Sequence, residues 1–205
     1  MNWKEFLKTK NNRIELIITI ILLAVVLTSL ANFLNFVEAR QGVVLQDPIL
    51  TLFNPINLTW LIFALIYGSL IVAIAALIKN PKQLIFAIQL YTLMVVVRIF
   101  AMYILPIDPP EKMILLNDPL VEFFGTGQTL TKDLFFSGHT ATLFILFLVS
   151  KKKIFKTIFI ISTIAVAITV LLQHVHYTID VFAAVFFTYA CYKLLEKFKT
   201  VLKYE

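Results

Sequence analysis

The stretch Lys151–Asp180, KKKIFKTIFIISTIAVAITVLLQHVHYTID, carries the reading of the fold. Three lysines lead into an apolar run, Ile154–Leu172, and the run ends on His174, His176 and Asp180. A bilayer crossing takes about 20 apolar residues, so this run is one crossing with a cationic end and a histidine end. Five further runs read the same way: Ile14–Val37, Leu58–Ile78, Leu84–Leu105 (interrupted by Arg98), Ser137–Ser150 and Tyr177–Leu195, with Asp180 near the start of the last. The expectation is an all-α polytopic membrane protein, a six-transmembrane-helix bundle, with residues 1–205 forming a single membrane domain.

Composition supports this. The chain is 60% hydrophobic with 15% charged residues, and its mean hydropathy is +0.90. A soluble domain is nearer half apolar and a quarter charged. The net charge of +6 does not indicate nucleic acid, because the cations fall in short clusters between apolar runs. The one cysteine, Cys191, lies in an apolar run and reads as packing. The first run is too long for the core of a signal peptide and lacks a clean cleavage site after Phe36, so it reads as a retained helix.

Lys and Arg positions set the orientation. Fourteen fall at one end of the alternating runs: Lys4, Lys8, Lys10, Arg13, Lys79, Lys82, Lys151, Lys152, Lys153, Lys156, Lys193, Lys197, Lys199 and Lys203. Arg40, Arg98, Lys112 and Lys132 make up the remaining four of 18. The positive-inside rule then predicts both termini in the cytoplasm and the histidines on the extracytoplasmic side. The longest connection there is the 106–136 loop, whose middle, Glu111–Phe124, is expected to form a short interfacial helix. Helical rise puts His139 about 18 Å, His176 about 26 Å and Arg98 about 24 Å from the nearest cytoplasmic lysine. These heights converge near the outer boundary of a core about 30 Å thick.

Ionisable groups at that depth are costly and mark function. His176 and Asp180 are spaced i,i+4 and share a helix face. A carboxylate on one imidazole nitrogen leaves the other to attack phosphorus; alone, the pair reads equally as a structural cap. Ser137-Gly138-His139-Thr140 opens the fourth run. Ser137 suits an N-cap, and helix N-termini bind phosphate through their backbone N–H groups. Gly138 allows close approach, and His139 is then set to protonate a departing oxygen. Arg98 is the candidate clamp for a phosphate oxygen, with a carboxylate as the alternative partner. Lys132 adds charge, and Asp133 is expected either to pair with Arg98 or to orient a substrate hydroxyl.

The segments Asp133…Ser137-Gly138-His139-Thr140 and His176-Tyr177-Thr178-Ile179-Asp180-Val181 resemble the sphingomyelin synthase family, a branch of the type-2 phosphatidic acid phosphatase (PAP2) superfamily. The likeness runs from Arg98 to Tyr189. It implies six crossings and a triad of His139, His176 and Asp180. In that triad His176 is the nucleophile, Asp180 its activator and His139 the acid and then the base. Arg98, Lys132, Asp133, Ser137, Gly138, Thr140 and Tyr177 are expected to contact the substrate. The implied reaction moves phosphocholine or phosphoethanolamine from a glycerophospholipid to ceramide or a similar lipid alcohol, without metal or cofactor. The implied partners are membrane lipids. The chain departs from the family pattern at Thr131-Lys132, where Cys-Gly is expected, and at Val185, where Tyr is expected. A PAP2-type phosphatase, with water as acceptor, is the competing enzyme. A transporter or scaffold would call for repeats or paired broken helices, and the sequence has neither.

Overall fold

The computed structural model describes residues 2–116 and 130–201. Among them, seven helices follow in order: α1 (Trp3–Lys8), α2 (Lys10–Ala39), α3 (Thr59–Leu77), α4 (Pro81–Ile104), α5 (Gly138–Val149), α6 (Lys153–Leu172) and α7 (Thr178–Val201). All six expected apolar runs are helical, so the all-α membrane bundle stands. Five helices, α2, α3, α4, α6 and α7, are long and apolar enough to cross a bilayer. The sixth run, α5, has 12 residues, about 18 Å at the helical rise, well short of the hydrocarbon thickness. Its first turn therefore begins inside the bundle, where Phe136, Ser137 and Thr140 are fully buried.

α5 is the central post. It pairs with α6 as a tight hairpin and also touches α7, α4 and α3. One of its faces packs into a core of Leu90, Met94 and Val95 from α4 with Ala184 and Cys191 from α7. The other meets Ile62 and Ile66 of α3 with Phe159, Val166 and Val170 of α6. Cys191 is buried there, as packing. α2 lies outside against α4, with only 6% of its most apolar stretch buried. Exposed Ile17, Ile71, Phe100, Ile161 and Phe186 on the long helices present the apolar surface that lipid requires.

Short helix α1 has its own cause. Asn2 and Glu5 form a capping box, each side chain bonded to the other's backbone N–H. Phe6 is fully buried, and Trp3 Nε1 donates to Ile78 O at 2.6 Å, which seats α1 under the α3–α4 turn.

The two ends of the bundle differ. The lysine-rich end is joined by Lys199–Glu15 at 2.5 Å and by Gln83 Nε2 donating to Val149 O at 2.6 Å. At the histidine end, connecting segments knit into a cap. Strands β1 (Val43–Val44) and β2 (Ile107–Asp108) pair in parallel. A Cβ on Gly42 would lie 2.8 Å from Asp108 N and Ile107 C, so only glycine permits that approach. The interfacial helix expected over Glu111–Phe124 is absent at 111–116, which form a turn and irregular chain. There Ile114 N donates to Gln173 O, and Ile114 O accepts from Gln173 Nε2, so neither group is available to a helical ladder. Residues 117–124 of that expectation lie outside the described residues.

Candidate active site

Two helix N-termini and the last turns of α4 converge below the cap. The α7 end is organised by Asp180. Its Oδ2 lies 3.2 Å from His176 Nδ1 and accepts from Tyr177 N at 3.0 Å. The second bond has capping-box geometry. Asp180 thus ties the imidazole and closes the helix start with one oxygen. Both side chains are buried, His176 at 2% exposure and Asp180 at 0%. With Nδ1 on the carboxylate, Nε2 is the atom left for chemistry.

The α5 end is pinned to α7 by Ser137 N donating to Asp180 O at 3.2 Å. Ser137 is the N-cap, its hydroxyl accepting from Thr140 N. His139, one residue into the helix, brings its ring centroid to 6.4 Å from that of His176, with the planes at 65°. That separation and tilt are those of an edge-to-face ring contact, so the two imidazoles are direct neighbours.

Arg98 completes the cluster. Its Nε donates to Phe136 O at 2.6 Å, and its Nη2 pairs with Asp133 Oδ1 at 2.6 Å. Of the partners open to Arg98 and Asp133 in the sequence, the ion pair between them is the one formed. The guanidinium lies flat against Gly138: a Cβ there would meet Arg98 Cζ at 3.1 Å and Nη1 at 3.3 Å. Nη1 donates to no other group among the described residues. Asp133 matches the full charge of the guanidinium, which leaves the partial positive charge of the helix N-terminus and the Nη1 donor on this side of the cluster.

His139, His176, Asp180, Arg98, Ser137, Gly138 and Asp133 are therefore brought together. Thr140 is beside them but fully buried. Lys132 and Tyr177 are engaged elsewhere. Lys132 Nζ donates to Arg40 O at 2.7 Å and lies 2.8 Å from Asp108 Oδ1. Tyr177 Oη donates to Asp108 O at 3.0 Å and accepts from Leu45 N at 3.2 Å. Both hold the cap over the site.

Asp47, Gln173 and His174 do the same, and of these the sequence pointed only to His174. Asp47 accepts from Thr178 N at 2.6 Å and from the Thr178 hydroxyl at 3.1 Å, capping α7 from a distant loop. Burial pushes the Asp47 carboxyl up, but these bonds, with those from Ile49 and Leu50 N–H, outweigh it and hold the group below its ordinary value. Gln173 joins Leu58, Thr59 and Ile114. His174 has the left-handed φ of 56° and stands edge-on to Phe53. Burial, then nearby Lys112, lowers its pKa against the opposing pull of Asp47. A glutamine next to a histidine pair at a helix end was the only local signal for these residues.

Residues 132–198 match the family model described as PAP2 superfamily C-terminal, less than half of the chain. The match begins at Lys132 and includes both histidine motifs; Arg98 and α2 lie outside it. It supports the PAP2 superfamily, whose members are lipid phosphatases and phosphotransferases, and it does not reach the sphingomyelin synthase branch. No curated protein matches the chain.

Proposed function

We propose that the chain is an integral-membrane lipid phosphotransferase, moving a phosphocholine or phosphoethanolamine headgroup from a glycerophospholipid to ceramide or a similar lipid alcohol. The observation that carries this reading is the pairing of two imidazoles, one held by a buried carboxylate, at the point where Arg98 rests on the α5 N-terminus.

The steps follow from those positions. His176 Nε2 attacks phosphorus, and the P–O bond to the diacylglycerol oxygen breaks. His139, protonated, gives its proton to that oxygen. Asp180 stabilises the positive imidazole as the P–N bond forms. Arg98 and the α5 backbone N–H groups neutralise charge growing on the phosphoryl oxygens. His139, now neutral, takes the proton of the acceptor hydroxyl, whose oxygen attacks phosphorus and releases His176. The near-complete burial of His176 and Asp180 favours an acceptor delivered from lipid over bulk water. The uneven spread of cations supports an extracytoplasmic site with the lysine-rich end in the cytoplasm.

The test uses purified protein in vesicles holding a labelled phosphatidylcholine, with and without ceramide. Label appearing in a new lipid, only when the alcohol is present, is the expected result. Release of phosphocholine or inorganic phosphate without any new lipid would assign the same residues to hydrolysis. No turnover of phosphatidylcholine, phosphatidylethanolamine or phosphatidic acid would remove the enzymatic reading altogether.

A further inference from the structure

We propose that the last turn of α2 is a clamp setting the register of Arg98 against Asp133, with Glu38 its positioning residue. The inference rests on the phosphotransferase reading, since it concerns the anion-binding pair of that site.

α2 supplies none of the catalytic groups and faces mostly outward. Its histidine-end tip is nevertheless heavily bonded. Both carboxylate oxygens of Glu38 are engaged by residues 131–132: Thr131 N at 3.1 Å, Lys132 N at 3.0 Å, and the Thr131 hydroxyl. These donors are the residues directly ahead of Asp133. Two positions beyond Glu38, Arg40 reaches the other half of the pair. Its guanidinium donates to Met102 O and, at 3.1 Å, to Tyr103 O. These are carbonyls of the final turn of α4, which lack helical partners. Met102 is i,i+4 from Arg98, so the bonded turn stacks directly on the arginine. Lys132 Nζ closes the ring on Arg40 O.

One helix tip therefore grips both carriers of the ion pair, α4 for Arg98 and the 131–133 segment for Asp133. The pair is short, 2.6 Å, and the guanidinium is also held by Phe136 O at 2.6 Å, so it follows a displaced partner only by loosening that second bond. Displacement of a catalytic contact by about 1 Å costs on the order of 10²-fold in rate. A tether that merely holds the cap in place would not depend on Asp133.

The experiment compares wild type with Glu38→Gln, Glu38→Asp, Arg40→Ala, Asp133→Asn and the Glu38→Gln/Asp133→Asn double variant in the phosphatidylcholine and ceramide vesicles above. Glu38→Gln should lower kcat by about 10²-fold and change KM for phosphatidylcholine less, since a displaced Arg98 loses most where charge grows in the transition state. Arg40→Ala should give the same pattern, and Glu38→Asp should recover part of the loss. The double variant should be no slower than Asp133→Asn alone. Wild-type kcat in Glu38→Gln, or losses that multiply in the double variant, would overturn the clamp. Thr131→Val, which removes one hydroxyl and keeps the backbone bonds, covers the case in which Glu38→Gln does not fold. It should lower kcat in the same sense, and an effect on KM alone would count against the proposal. Hydrogen exchange reads the clamp without substrate. Glu38→Gln should speed exchange at residues 131–137, and unchanged exchange overturns the clamp. If wild type turns over no lipid, the functional reading falls and the clamp stands or falls on exchange alone.

Discussion

At the scale of single residues, Asp180 and Gly138 do the most with the least. Asp180 orients an imidazole and caps a helix with one oxygen. Asp180→Asn keeps the shape and removes the charge that, in the proposed mechanism, stabilises a positive His176. Turnover of labelled phosphatidylcholine should fall by two or more orders of magnitude, in line with the usual weight of acid–base groups, about 10²–10⁴-fold. Circular dichroism should stay helical. Gly138 acts by what it lacks. In Gly138→Ala the new methyl meets the guanidinium at 3.1–3.4 Å, and Arg98 is held by two 2.6 Å bonds and yields only by loosening them. The expected result is a kcat/KM loss of about 10²-fold with thermal stability within about 1 kcal/mol of wild type.

At the scale of elements, α7 depends on a loop far from it in sequence. Its first-turn N–H at Thr178 donates to Asp47. Asp47→Ala should cost about 1 kcal/mol, the usual worth of an N-cap, read as faster hydrogen exchange in the first turn of α7. The effect has a definite pH sign. The folded carboxyl sits below its ordinary value of 3.8, so the unfolded chain takes up the proton first as pH falls. The stabilisation is complete above about pH 4 and is lost as pH drops through the folded value. Wild type and Asp47→Ala should therefore converge in stability at low pH; an undiminished difference there would argue against the cap. This loop also marks what sequence could and could not reveal. The six helices were legible because apolar length alone specifies them, and α5 was bounded by Ser137 and Ser150. His139, His176 and Asp180 were legible because their spacing is local. Glu38, Asp47, Asp108 and Gln173 were not, because the partners that tie them into the cap lie tens of residues or more away, and the local bonds of Asp47 to Ile49 and Leu50 mark only a turn. Lys132 and Tyr177 sit inside motifs, so their motif company outweighed any hint that their polar ends serve the cap. The break at Thr9 that separates α1 from α2 escaped notice because charged residues lie on both sides of it.

At the scale of the whole molecule, asymmetry between the ends governs orientation. A single cysteine at Lys112, in a Cys191→Ser background, should react with an impermeant maleimide on intact cells. A cysteine at Lys152 should react only after permeabilisation. The reverse pattern would turn the bundle over and move the site to the cytoplasmic leaflet. Cys191 itself is buried, so its replacement should leave labelling backgrounds low and helix content intact.

The cap on α7 also bears on how the protein is made. Asp47 and Thr178 are 131 positions apart, and Leu45 and Tyr177 are 132 apart. During synthesis the early loop emerges with its carboxylate bonded only to its own Ile49 and Leu50 N–H groups, and its α7 partner follows 131 positions later. A nascent chain stalled before α7 lacks Asp180 and the Thr178 groups that Asp47 caps. The histidine-end cap therefore closes late, when α7 folds against the early loop.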